Sequence, residues 1–223
     1  MNESLKAIVI NCVNYKESDK NITLLTAEKG IIFVKAKNAQ KIKSKVSAYA
    51  EMFNYGKFNL YKNQTGYYLD SVEIENSFHN LGENIENLSL ATYFAQLIYL
   101  CYKTNENSID ILRLLLNCIY FIKENKKQRE EIKAIFELKF VTLIGYGPLL
   151  NGCCSCGNIQ ANDIYFSIKN CTIKCKSCLK SDDKFSFERI PDGVFAALNH
   201  ICYSPFEKLF AFSLKKIFCF NSI

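Results

Sequence analysis

The chain has 223 residues, of which 49% are hydrophobic and 13% aromatic, so it can bury a core of ordinary size and wholesale disorder is excluded. Lys and Arg number 28 against 22 Asp and Glu, giving a net charge of +6. The longest uncharged run, Asn87 to Tyr102, has 16 residues and includes polar side chains, whereas a membrane span needs about 20 mostly apolar residues. The first residues lack the features of a secretory signal. We therefore expect a soluble, cytoplasmic protein that does not enter a membrane.

The first 76 residues alternate between short apolar segments and turn-like segments. Branched and aromatic residues dominate the apolar segments, which is typical of strands. Asn63-Gln64-Thr65-Gly66 is typical of a hairpin turn. The predicted strands are Lys6 to Tyr15, Asn21 to Ala27, Gly30 to Lys37, Ala48 to Tyr61 and Tyr67 to Glu75. Five strands in so short a segment predict a small barrel.

After His79 the apolar residues recur at helical spacing, which predicts a helical second domain. Ser108 is placed to cap the second helix, and a third helix begins near Gln128 and ends before Gly145. A last helix is predicted from Ser204 as N-cap, followed by Pro205 and Glu207. The two apolar faces that support the first helices are Leu88, Ala91, Ala95 and Ile98, then Ile111, Leu112, Leu115, Ile119 and Ile122.

Four cysteines form two C-x-x-C pairs: Cys153 with Cys156, and Cys175 with Cys178. Their separation is that of a zinc ribbon or knuckle, because each pair can turn two thiolates towards one ion. Four protein sulfurs leave no position for water or substrate, so the pattern predicts a structural zinc ion. The alternative is a group of ordinary buried thiols, and Cys154 or Cys171 could replace one ligand. The cysteines predicted to pack in the core are Cys12, Cys101, Cys118, Cys202 and Cys219.

A stretch rich in lysine follows the third predicted strand, and no acidic residue lies between positions 29 and 50. Lysine meets phosphate as a point charge, so we expect contact with a nucleic-acid backbone that is largely indifferent to base sequence. The alternative is a solvated loop with no ligand. The predicted DNA-binding residues are Lys35, Lys37, Lys41, Lys43 and Lys45. The aromatic residues nearby that could stack on bases are Tyr49, Phe53, Tyr55, Phe58, Tyr61, Tyr67 and Tyr68, most of which we expect in the core.

The order of these parts resembles the RecO family of DNA repair proteins over nearly the whole chain. The resemblance rests on Glu17-Ser18-Asp19, on Leu24-Leu25-Thr26, on Phe136-Glu137-Leu138 and on Gly145-Tyr146-Gly147-Pro148-Leu149, together with the lysine stretch and the four cysteines. It implies an α+β protein with a five-stranded oligonucleotide-binding (OB) barrel at residues 1–77. A helical domain at 78–223 follows, with a zinc-binding insert at about 150–182.

The resemblance also implies a recombination mediator that is not an enzyme. Similar proteins bind single- and double-stranded DNA, anneal complementary strands, and work with RecR to load RecA onto DNA coated by single-strand binding protein. They also recognise the C-terminal tail of that coating protein. A cytoplasmic, nucleoid-associated location follows. The final hydrophobic segment, from Phe206 to Phe218, is interpreted as core; the alternative is a pocket for an acidic peptide near Lys208, Lys215 and Lys216.

Two other functions are weighed against mediation. A metal-dependent nuclease would need carboxylate ligands. The candidates are Glu17, Asp19 and Asp70, or Asp182 and Asp183. The second is a zinc-ribbon adaptor whose main ligand is another protein, a function that overlaps with mediation. An adaptor would keep full DNA binding when the lysines from Lys35 to Lys45 are replaced by alanine, and would lose a protein contact instead. The chain contains only two histidines, in unrelated surroundings, and no nucleophile elbow or phosphate-binding glycine loop.

Overall fold

The structure is a computed structural model that describes residues 2–41, 44–102, 108–158 and 163–212. The predictions made for Lys43, Cys219 and the hydrophobic residues beyond position 212 lie outside these ranges. The chain divides into two compact units, Met1–Lys133 and Ala134–Ile223. The division into domains at residues 77 and 78 stays a prediction. Within the described ranges, no helix combines the length and the apolar composition that a bilayer crossing requires.

The first unit contains a closed five-stranded barrel in the strand order β1-β2-β3-β5-β4. Neighbouring strands are antiparallel except β3 and β5, which run parallel. This topology is that of the OB fold, and it confirms the predicted α+β class. The strands are β1 (Asn2–Tyr15), β2 (Asp19–Thr26), β3 (Ile31–Ala36), β4 (Asn54–Asn63) and β5 (Gly66–Ser77).

Side chains alternate between the barrel interior and its outer surface, as the period of two in a strand requires. In β3, Val34 and Ala36 are buried while Phe33 is exposed. In β4, Phe58 and Leu60 are fully buried. Aliphatic and aromatic residues from all five strands fill the interior, so no tryptophan is needed.

The predicted start of the fourth strand, at Ala48, was wrong, because β4 begins at Asn54. The chain from Lys45 to Tyr49 forms a short helix, α1, and the Ser44 hydroxyl accepts a hydrogen bond from the main-chain amide of Val46 at its start. Phe53 then adopts a positive φ of 65°, which an extended strand does not permit. The apolar residues that suggested a strand belong to a helix and turn, where Tyr49 and Ala50 pack with the barrel core.

Two long helices complete the first unit. Asn84 accepts hydrogen bonds from the amides of Glu86 and Asn87 and so begins α2 (Ile85–Cys101). Helix α3 (Ile109–Lys123) follows, and the predicted apolar residues of its face are buried. Ser108 stands at its N-cap position as predicted, but its hydroxyl donates to the main-chain oxygen of Thr26 in β2 instead of capping the helix.

Helix α4 (Arg129–Leu143) begins close to the predicted position, and the division between the two units falls within it. The second unit contains a three-stranded sheet in the order β7-β6-β8. Its elements are β6 (Ile164–Ser167), β7 (Thr172–Cys175), β8 (Glu188–Arg189), α5 (Asp192–Tyr203) and α6 (Phe206–Leu209).

The capping box predicted for the last helix is absent. Pro205, not Ser204, occupies the N-cap position of α6, and no side chain caps that helix. The Ser204 hydroxyl lies 3.1 Å from Nδ1 of His200, one turn earlier in α5. Ser204 therefore ends α5 and does not begin α6.

Candidate nucleic-acid interface and metal centre

The lysine stretch is fixed to the turn between β1 and β2. The main-chain amide of Asn38 donates to the Asp19 carboxylate at 2.8 Å. The amide of Gln40 donates to the Ser18 carbonyl at 2.9 Å, and its side chain donates to the carbonyl of Lys16 at 3.0 Å. Ala39 is fully buried. These bonds give Ser18 and Asp19 a structural role and hold the loop that carries Lys37 and Lys41.

Four of the five predicted DNA-binding lysines lie within the described residues. Lys35 is partly exposed on β3, and Lys37, Lys41 and Lys45 are exposed. Over the described ranges, none of these four ammonium groups makes an ion pair with a carboxylate. An unpaired ammonium group keeps its charge available for a phosphate.

Two other lysines of the barrel do have internal partners. Lys29 is paired with Glu3, and Lys20 is paired with Glu51 at 2.8 Å. Lys29 is the first lysine of the segment that contains no acidic residue, and Glu3 neutralises its charge. Among the described residues of the stretch, Lys35, Lys37, Lys41 and Lys45 therefore carry the positive charge that no carboxylate pairs.

The aromatic residues near this stretch separate into core and surface. Phe53 and Phe58 are buried, and Tyr49 and Tyr67 pack against the barrel core. The sequence did not distinguish Tyr61 and Tyr68 from the other aromatic residues of this group. Tyr61 and Tyr68 stack on each other with ring centroids 4.9 Å apart and an interplanar angle of 10°.

Two lysine ammonium groups lie close to the ring of Tyr68. The ammonium group of Lys35 lies 5.4 Å from the centre of that ring, and that of Lys37 lies 5.0 Å from it. These distances permit a cation–π attraction. The Tyr68 hydroxyl lies 2.8 Å from Oγ1 of Thr65 in the turn between β4 and β5. Positive charge and aromatic surface therefore occur together on one side of the barrel.

In the second unit, the four predicted cysteines meet. The sulfur atoms of Cys153, Cys156, Cys175 and Cys178 all lie within 4.8 Å of one another. The sulfurs of Cys156 and Cys175 are 3.7 Å apart. Four sulfurs at about 2.3 Å from a tetrahedral zinc ion would be separated by about 3.8 Å. The number, type and spacing of the sulfur atoms therefore fit Zn²⁺.

Local backbone geometry produces the first C-x-x-C turn. Gly157 has a positive φ of 72°, and its amide donates to the Cys153 carbonyl at 2.8 Å. The amide of Ser155 donates to the Cys153 sulfur at 3.5 Å. A glycine adopts this φ without strain, so the chain can reverse immediately after Cys156. The second pair lies where β7 ends at Cys175 and continues into a 3₁₀ turn, Lys176–Cys178.

Two of the four thiols, those of Cys153 and Cys178, differ strongly in acidity. Burial opposes ionisation of Cys153, but main-chain hydrogen bonds at Cys175, Cys156 and Ser155 outweigh it and lower the pKa of Cys153 to about 6. Hydrogen bonds with Cys175 and Cys156, together with burial, raise the pKa of Cys178 to about 12. A bound cation would allow all four thiolates to form.

The remaining cysteines follow the predictions only in part. Cys154 and Cys171 are exposed and do not belong to the sulfur group. Cys118 and Cys202 are buried, and Cys12 packs against the barrel core. The prediction that Cys101 lies in the core was wrong: it is the last residue of α2 and is exposed.

The carboxylates proposed for a nuclease do not form a metal site. Asp183 is hydrogen-bonded to Lys174 at 2.8 Å, and Asp19 accepts from the amide of Asn38. Across the described part of the chain, the sulfur group is the one cluster of three or more potential metal ligands.

Comparison with known proteins identifies similar sequences over most of the chain. The family model described as "Recombination protein O N terminal" matches residues 1–78, and "Recombination protein O C terminal" matches residues 82–218. The DNA repair protein RecO of Acetivibrio thermocellus is 30% identical over 209 residues, covering 94% of this chain and 82% of the relative. RecO of Clostridium novyi is 31% identical over 176 residues, which cover 79% of this chain and 69% of the relative. RecO of Clostridium perfringens is 27% identical over 207 residues, which cover 93% of this chain and 82% of the relative.

Proposed function

The chain belongs to the RecO family of DNA repair proteins, and from this we propose that it is a recombination mediator that binds DNA and anneals complementary strands. The observation that carries the proposal is the group of unpaired lysines on an OB barrel. With RecR, the protein would help load RecA onto DNA coated by single-strand binding protein, whose C-terminal tail it would recognise. We expect it to work in the cytoplasm, on the nucleoid.

The barrel supports DNA binding through the placement of its charges. OB folds bind oligonucleotides on the face of β2 and β3 and through the loops that follow β1 and β4. The lysine stretch leaves the end of β3 and is hydrogen-bonded to the loop after β1. The charges of Lys35, Lys37 and Lys41 therefore lie at the part of the barrel where this fold meets nucleic acid.

Annealing needs charge neutralisation and no catalytic group. Two complementary strands repel each other through their phosphates, and each lysine bound to a phosphate removes part of that repulsion and releases a counterion. Lysine contacts to the backbone leave the base edges free to pair. A non-catalytic role follows from this mechanism.

We propose that Cys153, Cys156, Cys175 and Cys178 hold a structural Zn²⁺ ion. When bound, the ion neutralises the thiolates and joins the turn at Cys153 to the end of β7. No open coordination position would remain, so the ion would stabilise the second unit and take no part in chemistry. This assignment includes neither Cys154 nor Cys171, which lie outside the sulfur group.

Strand annealing measured at several salt concentrations tests the proposed function. Replacing Lys35, Lys37, Lys41, Lys43 and Lys45 with alanine should slow annealing and flatten the dependence of log affinity on log salt. Five phosphate contacts to a single strand give a slope of about −3.5, at about −0.7 per contact. An unchanged slope would show that this surface does not bind DNA.

A control variant with the same change in charge separates a local effect from a general one. It replaces five exposed lysines elsewhere with alanine, and its slope should stay close to that of the unmodified chain. These lysines are Lys57, Lys126, Lys169, Lys180 and Lys208. Gel analysis of the same reactions with Mg²⁺ also tests the nuclease alternative, because cleavage would shorten the strands. Full DNA binding by the first variant with loss of a protein partner would favour the adaptor.

A further inference from the structure

A row of three side chains crosses the outer surface of the barrel. Tyr61 of β4 is paired in register with Tyr68 of β5, and Tyr68 is paired with Lys35 of β3. Directly paired residues point to the same face of a sheet. Since β5 lies between the other two strands, Tyr61 and Lys35 flank Tyr68 on its two sides in the sheet.

The neighbouring pairs confirm which side of the sheet this row occupies. Val34 is paired with Tyr67, and both pack into the barrel core. Leu60 is paired with Leu69, and both are buried. The row one residue further along must therefore face outward. Tyr61, Tyr68 and Lys35 are all partly exposed.

Two flexible lysine side chains lie near the Tyr68 ring, which also stacks on Tyr61. Tyr61 stacks on one side, and the ammonium groups of Lys35 and Lys37 lie 5.4 and 5.0 Å from the ring centre. Lys35 also donates to the carbonyl oxygen of Thr65 at 3.3 Å, beyond the distance of a strong bond. Both lysines can move to a phosphate at little cost, and their movement would uncover the ring.

We propose that Tyr68, supported from behind by Tyr61, is the stacking site for an unpaired nucleobase, while Lys35 and Lys37 bind the phosphates beside that base. This inference rests on the proposed function and adds that the site selects single strands over duplexes. Every base has a π face, so stacking binds single strands without sequence preference. In a duplex the faces of the bases are already stacked on their neighbours, so they are not available to the tyrosine.

The position of the row also suits a single strand. Tyr68 lies two residues after the turn Asn63–Gly66, which is the loop between β4 and β5, and Thr65 of that turn contacts its hydroxyl. This loop and the end of β3 belong to the part of an OB barrel that binds oligonucleotides. A base on Tyr68 would therefore lie beside the lysine stretch, with its phosphates within reach of Lys37.

The test compares three ligands and two substitutions in the full-length chain. The ligands are a single-stranded oligonucleotide, an abasic oligonucleotide of the same length, and a duplex. Tyr68→Ala removes the ring, and Tyr68→Phe keeps the ring while removing the hydroxyl. Loss of one stacked base should weaken binding of the normal single strand about 5- to 150-fold for Tyr68→Ala. Tyr68→Phe should bind it within about 2-fold of the unmodified chain.

The other two ligands give the control. Binding of the duplex and of the abasic strand should change less than about 2-fold in Tyr68→Ala, because neither presents a base to this ring. The ratio between the two chains should also be independent of salt, since stacking releases no counterions. Equal weakening of all three ligands, or of none, would overturn the inference.

Two outcomes separate this inference from the proposed function. If the unmodified chain binds neither single strands nor duplex, the proposed function fails. If it binds both and Tyr68→Ala changes neither or both alike, only the stacking site fails. Should Tyr68→Ala not fold, the unmodified chain still decides the question, because equal affinity for the normal and abasic strands would exclude base stacking.

Discussion

The ammonium group of Lys139 donates to the main-chain oxygen of Cys202 at 3.0 Å, and a second bond of the same length reaches the oxygen of Ser204. Lys139 is 6% exposed. Both acceptors lie at the C-terminal end of α5, where the carbonyl groups of a helix lack intrahelical partners. A positive charge is favourable there because it meets the negative end of the helix dipole.

We expect Lys139→Ala to destabilise the second unit by about 1.5 to 3 kcal/mol, the usual worth of hydrogen bonds to a charged group. The substitution would leave the carbonyls of Cys202 and Ser204 without their buried donor. Urea unfolding measures the change. Lys169→Ala is the control, because Lys169 is exposed in the same unit and should change stability by less than about 0.5 kcal/mol. Equal effects of the two substitutions would contradict the role given to Lys139.

Gly56 is required by a close approach between β4 and β5. A Cβ atom at this position would lie 2.1 Å from the main-chain oxygen of Glu73, at a β-bulge of the strand pair. Because the obstacle is main chain, Gly56→Ala should destabilise the barrel by about 3 kcal/mol. Thermal or urea unfolding would show it. Gly82→Ala is the matched control, since nothing lies within 4 Å of its Cβ, and should be close to neutral.

The sulfur group predicts the metal content of the chain. We expect about one zinc ion per chain, and a fall to near zero in Cys175→Ser combined with Cys178→Ser, because two of four ligands are lost. Elemental analysis of the purified protein measures this. Cys171→Ser is the control, since Cys171 is exposed outside the group. Zinc retained at full occupancy by the double variant would reject the assignment.

The ion pair of Lys29 with Glu3 should make barrel stability depend on alkaline pH. The hydrogen bond to Glu3 raises the pKa of Lys29 above its ordinary value. The folded chain therefore holds this proton more tightly than the unfolded chain. The resulting stability is complete below the unfolded pKa of about 10.4 and is lost as pH rises through the folded pKa.

Comparison of the unmodified chain with Lys29→Met measures this contribution. The difference in unfolding free energy between the two should be constant from pH 7 to about pH 10 and should then shrink. Lys57→Met, at an exposed position on β4, serves as the control. A difference that stays constant through pH 12 would show that the pair contributes no proton linkage.

Local patterns made much of the fold predictable. The hairpin at Asn63–Gly66 forms as expected, because its turn residues act over a few positions. The apolar spacing from Ile111 to Ile122 correctly located a helix face. The segment from Ala48 to Phe53 was wrongly predicted as strand, because its apolar residues fit either a strand or a helix followed by a turn. Packing of Tyr49 and Ala50 with the barrel core decides between the two.

One candidate site could be predicted from local sequence and the other could not. The C-x-x-C pairs predicted which cysteines meet, because each pair acts through one short turn and only one partner pair has the matching spacing. Tyr61 and Tyr68 could not be separated from five other aromatic residues. Their stacking depends on strand register and on which face of β5 points outward, and both are decided by pairing between distant segments.

By itself the sequence determined most of the strands, the apolar face of α3, the spacing of the C-x-x-C pairs and the excess of lysine, since each depends on neighbours within a few residues. Only the tertiary structure decided which lysines remain unpaired, and that Asp19 holds the loop of Lys37. It also decided that Tyr68 stands between Tyr61 and Lys35. The physical reason is that charge pairing and aromatic stacking require contact, and closure of the barrel brings these residues together from strands far apart in the chain.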